Sequence, residues 1–147
     1  MKLFKAIDKV LARMGNIRAM ERTHVDTYTE NKIENIPGDQ IAISEHGGIW
    51  AGIQELNGYL FLDTFILGTT KIKTLKGATL TFLAEEELTV KSDNYEIDSD
   101  YSNVSNRWIT QISFEITKKD LNFIKKRTYN QIRLDFKKKS LLFDVKK

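Results

Sequence analysis

One face of a predicted β-hairpin carries the residues of this chain that are best suited to ligand binding. Asn57-Gly58 separates two apolar segments and can supply the two positive φ values that a type I′ turn needs. A two-residue turn fixes the strand register, so alternate residues of both segments share one face. Aromatic rings on such a face offer apolar contact, while an amide and a carboxylate fix the orientation of a ligand. The predicted ligand-binding residues are Trp50, Gln54, Tyr59, Phe61, Asp63 and Phe65.

The same face has two other interpretations. Asp63 lies opposite Gly52 in this register and among aromatic residues, and a partly buried carboxylate there is a candidate acid–base group for a small enzyme. The hairpin is also apolar on its opposite face, so both faces need a cover. In that interpretation the aromatic face is a second core layer under the N-terminal helix. No residue is assigned a catalytic role.

A basic C-terminal segment provides the alternative of nucleic-acid or other polyanion binding. Residues 117–147 carry a charge balance of +8, whereas residues 84–101 carry −6. Lysine predominates over arginine in the basic segment, which suits attraction to phosphate better than base recognition. Lysines also protect exposed strand edges and can neutralise the acidic segment within the chain. The predicted polyanion-binding residues are Lys125, Lys126, Arg127, Lys137, Lys138 and Lys139.

The sequence predicts no metal site and no cofactor. It contains no cysteine and two histidines, and His24 with Asp26 lacks the third protein ligand that zinc requires. Glycine patterns that hold phosphates are absent. Residues 92–106 form a polar, acidic stretch, and such long loops are usually functional or disordered. We expect this loop to be mobile, or to become ordered around a partner or a cation.

The elements that position these residues are predicted from hydrophobic periodicity. Apolar residues recur at helical spacing over residues 2–14, and residues 23–29 alternate like a short edge strand. From residue 41 the period is two, except where Thr117 and Asp120 have the spacing of a capping box that begins a short helix, ending near Arg127. We predict a mainly β (α+β) fold, an antiparallel sandwich or partly open barrel of about seven or eight strands.

One domain is expected from the length of 147 residues. It comprises an N-terminal helical part (1–20), a polar connector (21–40) and a β body (41–147).

The C-terminal quarter carries a resemblance in pattern. Residues 108–145 read as strand, capped short helix, strand, turn and strand, with the segments Ile116-Thr117-Lys118-Lys119-Asp120-Leu121 and Phe143-Asp144-Val145. This arrangement resembles the C-terminal segments of small β-rich bacterial proteins that have no assigned activity. The resemblance implies a β-rich fold and implies no function.

Taken together, these patterns predict a non-catalytic ligand-binding or protein-interaction module. Its partner is a protein or a small molecule, with nucleic acid as the alternative. Charged residues interrupt the apolar part of the N-terminus, and no segment reaches the roughly 20 apolar residues that span a bilayer. We therefore expect a soluble, cytoplasmic protein.

Overall fold

The computed structural model describes residues 27–146, which form eleven β-strands and two helical segments. The predicted N-terminal helix over residues 2–14 lies outside the described residues. The helical segments are α1 (27–34) and α2 (Lys118–Lys126). The strands are β1 (Asp39–Ser44), β2 (Gly47–Leu56), β3 (Tyr59–Gly68), β4 (Lys73–Thr74), β5 (Thr79–Leu83), β6 (Leu88–Lys91), β7 (Ile97–Asp98), β8 (Asp100–Ser102), β9 (Arg107–Ile116), β10 (Gln131–Phe136) and β11 (Lys139–Val145).

Nine of these strands form one antiparallel sheet in the order β6-β5-β10-β11-β1-β2-β3-β9-β8, and β4 pairs separately with β7. The two ends of the sheet approach each other after β6, where Ser92 forms an isolated bridge with Phe114 of β9. The amide of Asp93 also donates to the carbonyl of Ser113 at 2.7 Å. One bridge is not a strand pair, so the sheet is not closed into a barrel. The prediction of a mainly β, antiparallel chain is confirmed.

The hairpin of β2 and β3 has the predicted turn and register. Asn57 and Gly58 have φ values of 52° and 82°, as a type I′ turn requires. The pairs run without a shift from Leu56 opposite Tyr59 to Gly48 opposite Leu67. The Asn-Gly turn therefore determines which residues of the two strands share a face.

The capped helix is also confirmed. The hydroxyl of Thr117 accepts a hydrogen bond from the Asp120 amide at 3.1 Å, and the Asp120 carboxylate accepts one from the Thr117 amide at 3.0 Å. The helix ends at Arg127, whose φ of 52° is left-handed. Ile124 is buried, which attaches α2 to the main core.

The predicted edge strand over residues 23–29 is wrong for residues 27–29, which belong to α1. Ile33 of α1 and Ile36, which follows it, pack against a small apolar cluster on the sheet. These tertiary contacts outweigh a weak local alternation. Neither α1 nor α2 is long and apolar enough to cross a membrane.

Short pairings divide residues 92–106, where the sequence predicted one long polar loop, while its mobility and its ordering around a partner or a cation stay predictions. It contains β7 and β8, which pair with β4 and β9. Ser99 is buried between them, where its side chain accepts from the Ile72 amide at 2.8 Å and lies 2.6 Å from the Thr110 hydroxyl. Partners distant in sequence hold this stretch in place. These short pairings also explain why there are more strands than predicted.

Candidate binding face

The six predicted ligand-binding residues lie on one face of the β2–β3 hairpin, which we call the hairpin face. The strand register places them on the same side as Gly52 and Leu56. The neighbouring strand β9 continues this face beside β3, with Gln111 opposite Phe65 and Ser113 opposite Asp63. The predicted set is therefore assembled as a surface, but its two ends differ.

One end, the covered half of the hairpin face, lies beneath α1. Phe65 is 6% exposed and clusters with Leu67 and Ile109, and Trp50 packs against them with only part of its side chain exposed. The cover consists of Ile33 and Ile36. Phe65 is therefore a core residue and is not available to a ligand, and among residues 27–146 the cover comes from Ile33 and Ile36.

Polar contacts fasten α1 to the β8–β9 turn. The Glu30 carboxylate accepts a short hydrogen bond from the Ser102 hydroxyl and another from the Ser105 amide at 2.9 Å. These hydrogen bonds, the Ser102 contact above all, hold the pKa of Glu30 below its ordinary value. Lys32 pairs with Asp100 at 2.8 Å. The position of α1 is thus fixed by charge-assisted contacts as well as by apolar packing.

The other end, the open half of the hairpin face, has no such cover among residues 27–146. Tyr59 is 60% exposed and its cross-strand partner Leu56 is 46% exposed. Gln54 is exposed, and Phe61 is partly buried. A Cβ added at Gly52 would meet nothing within 4 Å. This half therefore presents apolar side chains around the open space beside Gly52. Such a surface is suited to contact with another molecule.

Asp63 is partly buried at the inner limit of the open half, where the hydroxyl of Ser113 donates to its carboxylate at 2.7 Å. This hydrogen bond orients the carboxylate, which could then accept a bond from a ligand. Sequence reasoning missed Ser113, because only the β3–β9 register brings it opposite Asp63. Asp63 does not line either of the two cavities found among the described residues. In the part of the chain that the structure describes, the hairpin face around Asp63 is therefore a surface and not a cavity wall.

The six predicted polyanion-binding residues form two clusters. Lys125, Lys126 and Arg127 lie at the C-terminal end of α2, where positive charge offsets the helix dipole. Lys137 and Lys138 form the turn after β10, and Lys139 begins β11. The six residues of β10, about 20 Å of strand, separate the clusters along the chain. The six residues therefore do not form one compact basic site, although they lie within a short segment of the sequence.

Two cavities were not predicted, and none of the six predicted ligand-binding residues lines either of them. A groove of about 840 Å³ is bordered by Lys76, Lys91, Tyr95 and Lys137. A smaller, mainly apolar cavity of about 210 Å³ lies near Ile66 and Leu142. Their walls come from segments far apart in the sequence, so no local pattern could reveal them.

The part of the chain from 27 to 146 contains no group of three histidine, cysteine, aspartate or glutamate side chains that could hold a metal ion. His46 is exposed and lies 3.6 Å from the Glu45 carboxylate. His24 lies outside the described range.

Comparison with protein-family models, curated protein sequences and solved structures found no match to this chain. The resemblance of residues 108–145 to small β-rich bacterial proteins therefore stays a prediction.

Proposed function

We propose that this chain is a non-catalytic protein-interaction module whose contact surface is the open half of the hairpin face. The observation that carries the proposal is the pair Leu56 and Tyr59, which stand side by side next to the turn and are 46% and 60% exposed. Apolar side chains grouped in this way mark contact surfaces more often than singly exposed ones do.

The surface has the composition of a contact site. A tyrosine combines a large apolar ring with a hydroxyl, and such residues often dominate binding energy. Asp63 of β3 and Glu115 of β9, which lies opposite Phe61, are both on the hairpin-face side and give this surface two carboxylates. A partner with an apolar centre flanked by basic groups would complement this arrangement.

The alternatives have less support. The two basic clusters lie at opposite ends of β10, which weakens the case for a compact polyanion site. An enzyme centred on Asp63 would need a cleft that excludes water, and the carboxylate instead lies on an open sheet face. Of the three functions, protein interaction through the open half is the one that the arrangement of these residues supports best.

The test is differential capture of partners from an extract of the source cells. The immobilised parent chain is compared with Tyr59→Ser and with Val104→Ser, a control that removes another exposed apolar side chain, outside the hairpin face. We expect a protein that is retained by the parent and by Val104→Ser, and lost with Tyr59→Ser. Identical retention by all three chains, or no retained protein, would overturn the proposal.

A further inference from the structure

The outer edge of β2 is unpaired beyond Ala51. Strand β1 pairs with β2 from Gly47 to Ala51, and β3 lies on the other side of β2. No strand in residues 27–146 lies along the edge formed by residues 52–56, all of which are exposed. Such an edge is a template for pairing with another strand, and natural proteins usually protect it with lysine, proline or a bulge. Residues 52–56 contain no lysine and no proline, and the register shift that the structure shows nearby lies in β1, between Gln40 and Ala42.

The turn determines which backbone groups are free. The pair that flanks a two-residue hairpin turn is hydrogen-bonded, and bonded and non-bonded pairs alternate from there. Leu56, Gln54 and Gly52 therefore direct their backbone groups towards β3. The N–H and C=O groups of Ile53 and Glu55 point out from the free edge.

We propose that two copies of this chain form a symmetric dimer by antiparallel pairing of residues 52–56. With the two-fold axis between the two copies of Gln54, Ile53 of each copy lies opposite Glu55 of the other. The free N–H groups of Ile53 and Glu55 then donate to the free C=O groups of the other copy, which is the hydrogen-bond pattern of an antiparallel pair. An isologous contact of this kind closes after two copies.

The side chains fit the same register. Leu56 of one copy lies opposite Gly52 of the other, and the space beside Gly52 is empty to at least 4 Å from an added Cβ. The leucine side chain fills that space. Glu55 faces Ile53, so no like charges stand opposite each other. A second copy is thus the occupant that this edge complements in both its backbone and its side chains.

The dimer would also bring the open halves of two hairpin faces side by side in one continuous sheet. The inference shares Leu56 with the proposed function but does not rest on it, because the dimer is held by the strand edge and does not use Tyr59. Tyr59→Ser should leave dimerisation intact, and loss of dimerisation need not remove partner capture.

The first test measures the mass of the parent chain by light scattering across a wide range of concentrations. We expect a monomer–dimer equilibrium, with the dissociation constant of Gly52→Val raised by about tenfold or more. A Cβ at Gly52 is free of contacts within the monomer, so the variant should fold. Gly68→Val is the matched control, since an added Cβ there also meets nothing within 4 Å. It should dimerise like the parent.

The second test uses the absence of cysteine from the chain. In a non-hydrogen-bonded antiparallel pair the Cα atoms are about 4.5 Å apart, within the range that a disulfide spans. Gln54→Cys should therefore form a disulfide-linked dimer with oxidised glutathione, while Tyr59→Cys should not. A parent that is monomeric throughout, a Gly52→Val variant that dimerises normally, or equal cross-linking of both cysteine variants would overturn the proposal.

Discussion

The two halves of the hairpin face belong to the same two strands and have the same alternation, yet they differ in burial. In the covered half, Phe65 and Trp50 pack beneath Ile33 and Ile36. In the open half, Leu56 and Tyr59 are also large apolar residues, yet they are exposed. The difference shows that apolar alternation on a second sheet face does not by itself determine which part of that face the chain covers.

The cover itself is held by polar groups. Glu30 receives hydrogen bonds from the β8–β9 turn, and Lys32 pairs with Asp100. These contacts fix α1 over one half of the face only. The halves are therefore distinguished by where a short helix is anchored, and substitutions that act on the anchor or on either half can test the distinction.

The largest effect is expected from Phe65→Ala. Removing a buried phenylalanine side chain costs about 3–5 kcal/mol of unfolding free energy, because transfer energy is lost and a cavity remains. Urea denaturation of the parent and the variant measures this change. A loss below about 0.5 kcal/mol, the usual range for surface substitutions, would mean that the covered half is not part of the core.

Removing the anchor should have the next largest effect. Glu30→Ala should lower the unfolding free energy by about 1–3 kcal/mol, because it deletes hydrogen bonds to a charged acceptor and leaves donors unpaired. Glu34→Ala, an exposed position on the same helix, is the matched control. Equal stabilities of the two variants would show that the Glu30 contacts do not hold α1 in place.

The pH dependence of the unfolding free energy should reflect the same hydrogen bonds to Glu30. The pKa of Glu30 is lowered in the folded chain from its ordinary value of 4.5, first by the Ser102 hydrogen bond. The carboxylate of Glu30 therefore binds a proton more readily in the unfolded chain than in the folded one. The stabilisation that the ionised Glu30 gives to the fold is complete above pH 4.5, and it is lost as the pH falls through the folded pKa. The stability difference between the parent and Glu30→Gln should shrink over this interval. A constant difference would contradict the assignment.

The smallest effect is expected in the open half. Tyr59→Ser should change the unfolding free energy by no more than about 0.5 kcal/mol, since the side chain is largely exposed. A loss comparable to that of Phe65→Ala would mean that the open half is covered after all. Together with Phe65→Ala, this measurement tests the division of the face directly.

Several local features were predictable from the sequence because a few adjacent residues determine them. Asn57-Gly58 selects the turn and thereby the nine cross-strand pairs of the hairpin. Thr117 and Asp120 satisfy the first amides of α2 without help from the rest of the chain. The six residues of the predicted ligand-binding set consequently share a face as expected.

Contacts between distant segments decided the rest. Residues 27–29 became helical because α1 packs on the sheet, and Phe65 became a core residue for the same reason. Residues 92–106 acquired strands through pairing with β4 and β9. The sequence by itself determined periodicity, turns and caps, which depend on neighbouring residues. The tertiary structure alone decided which apolar surface is covered, because burial depends on elements that come together only in the folded chain.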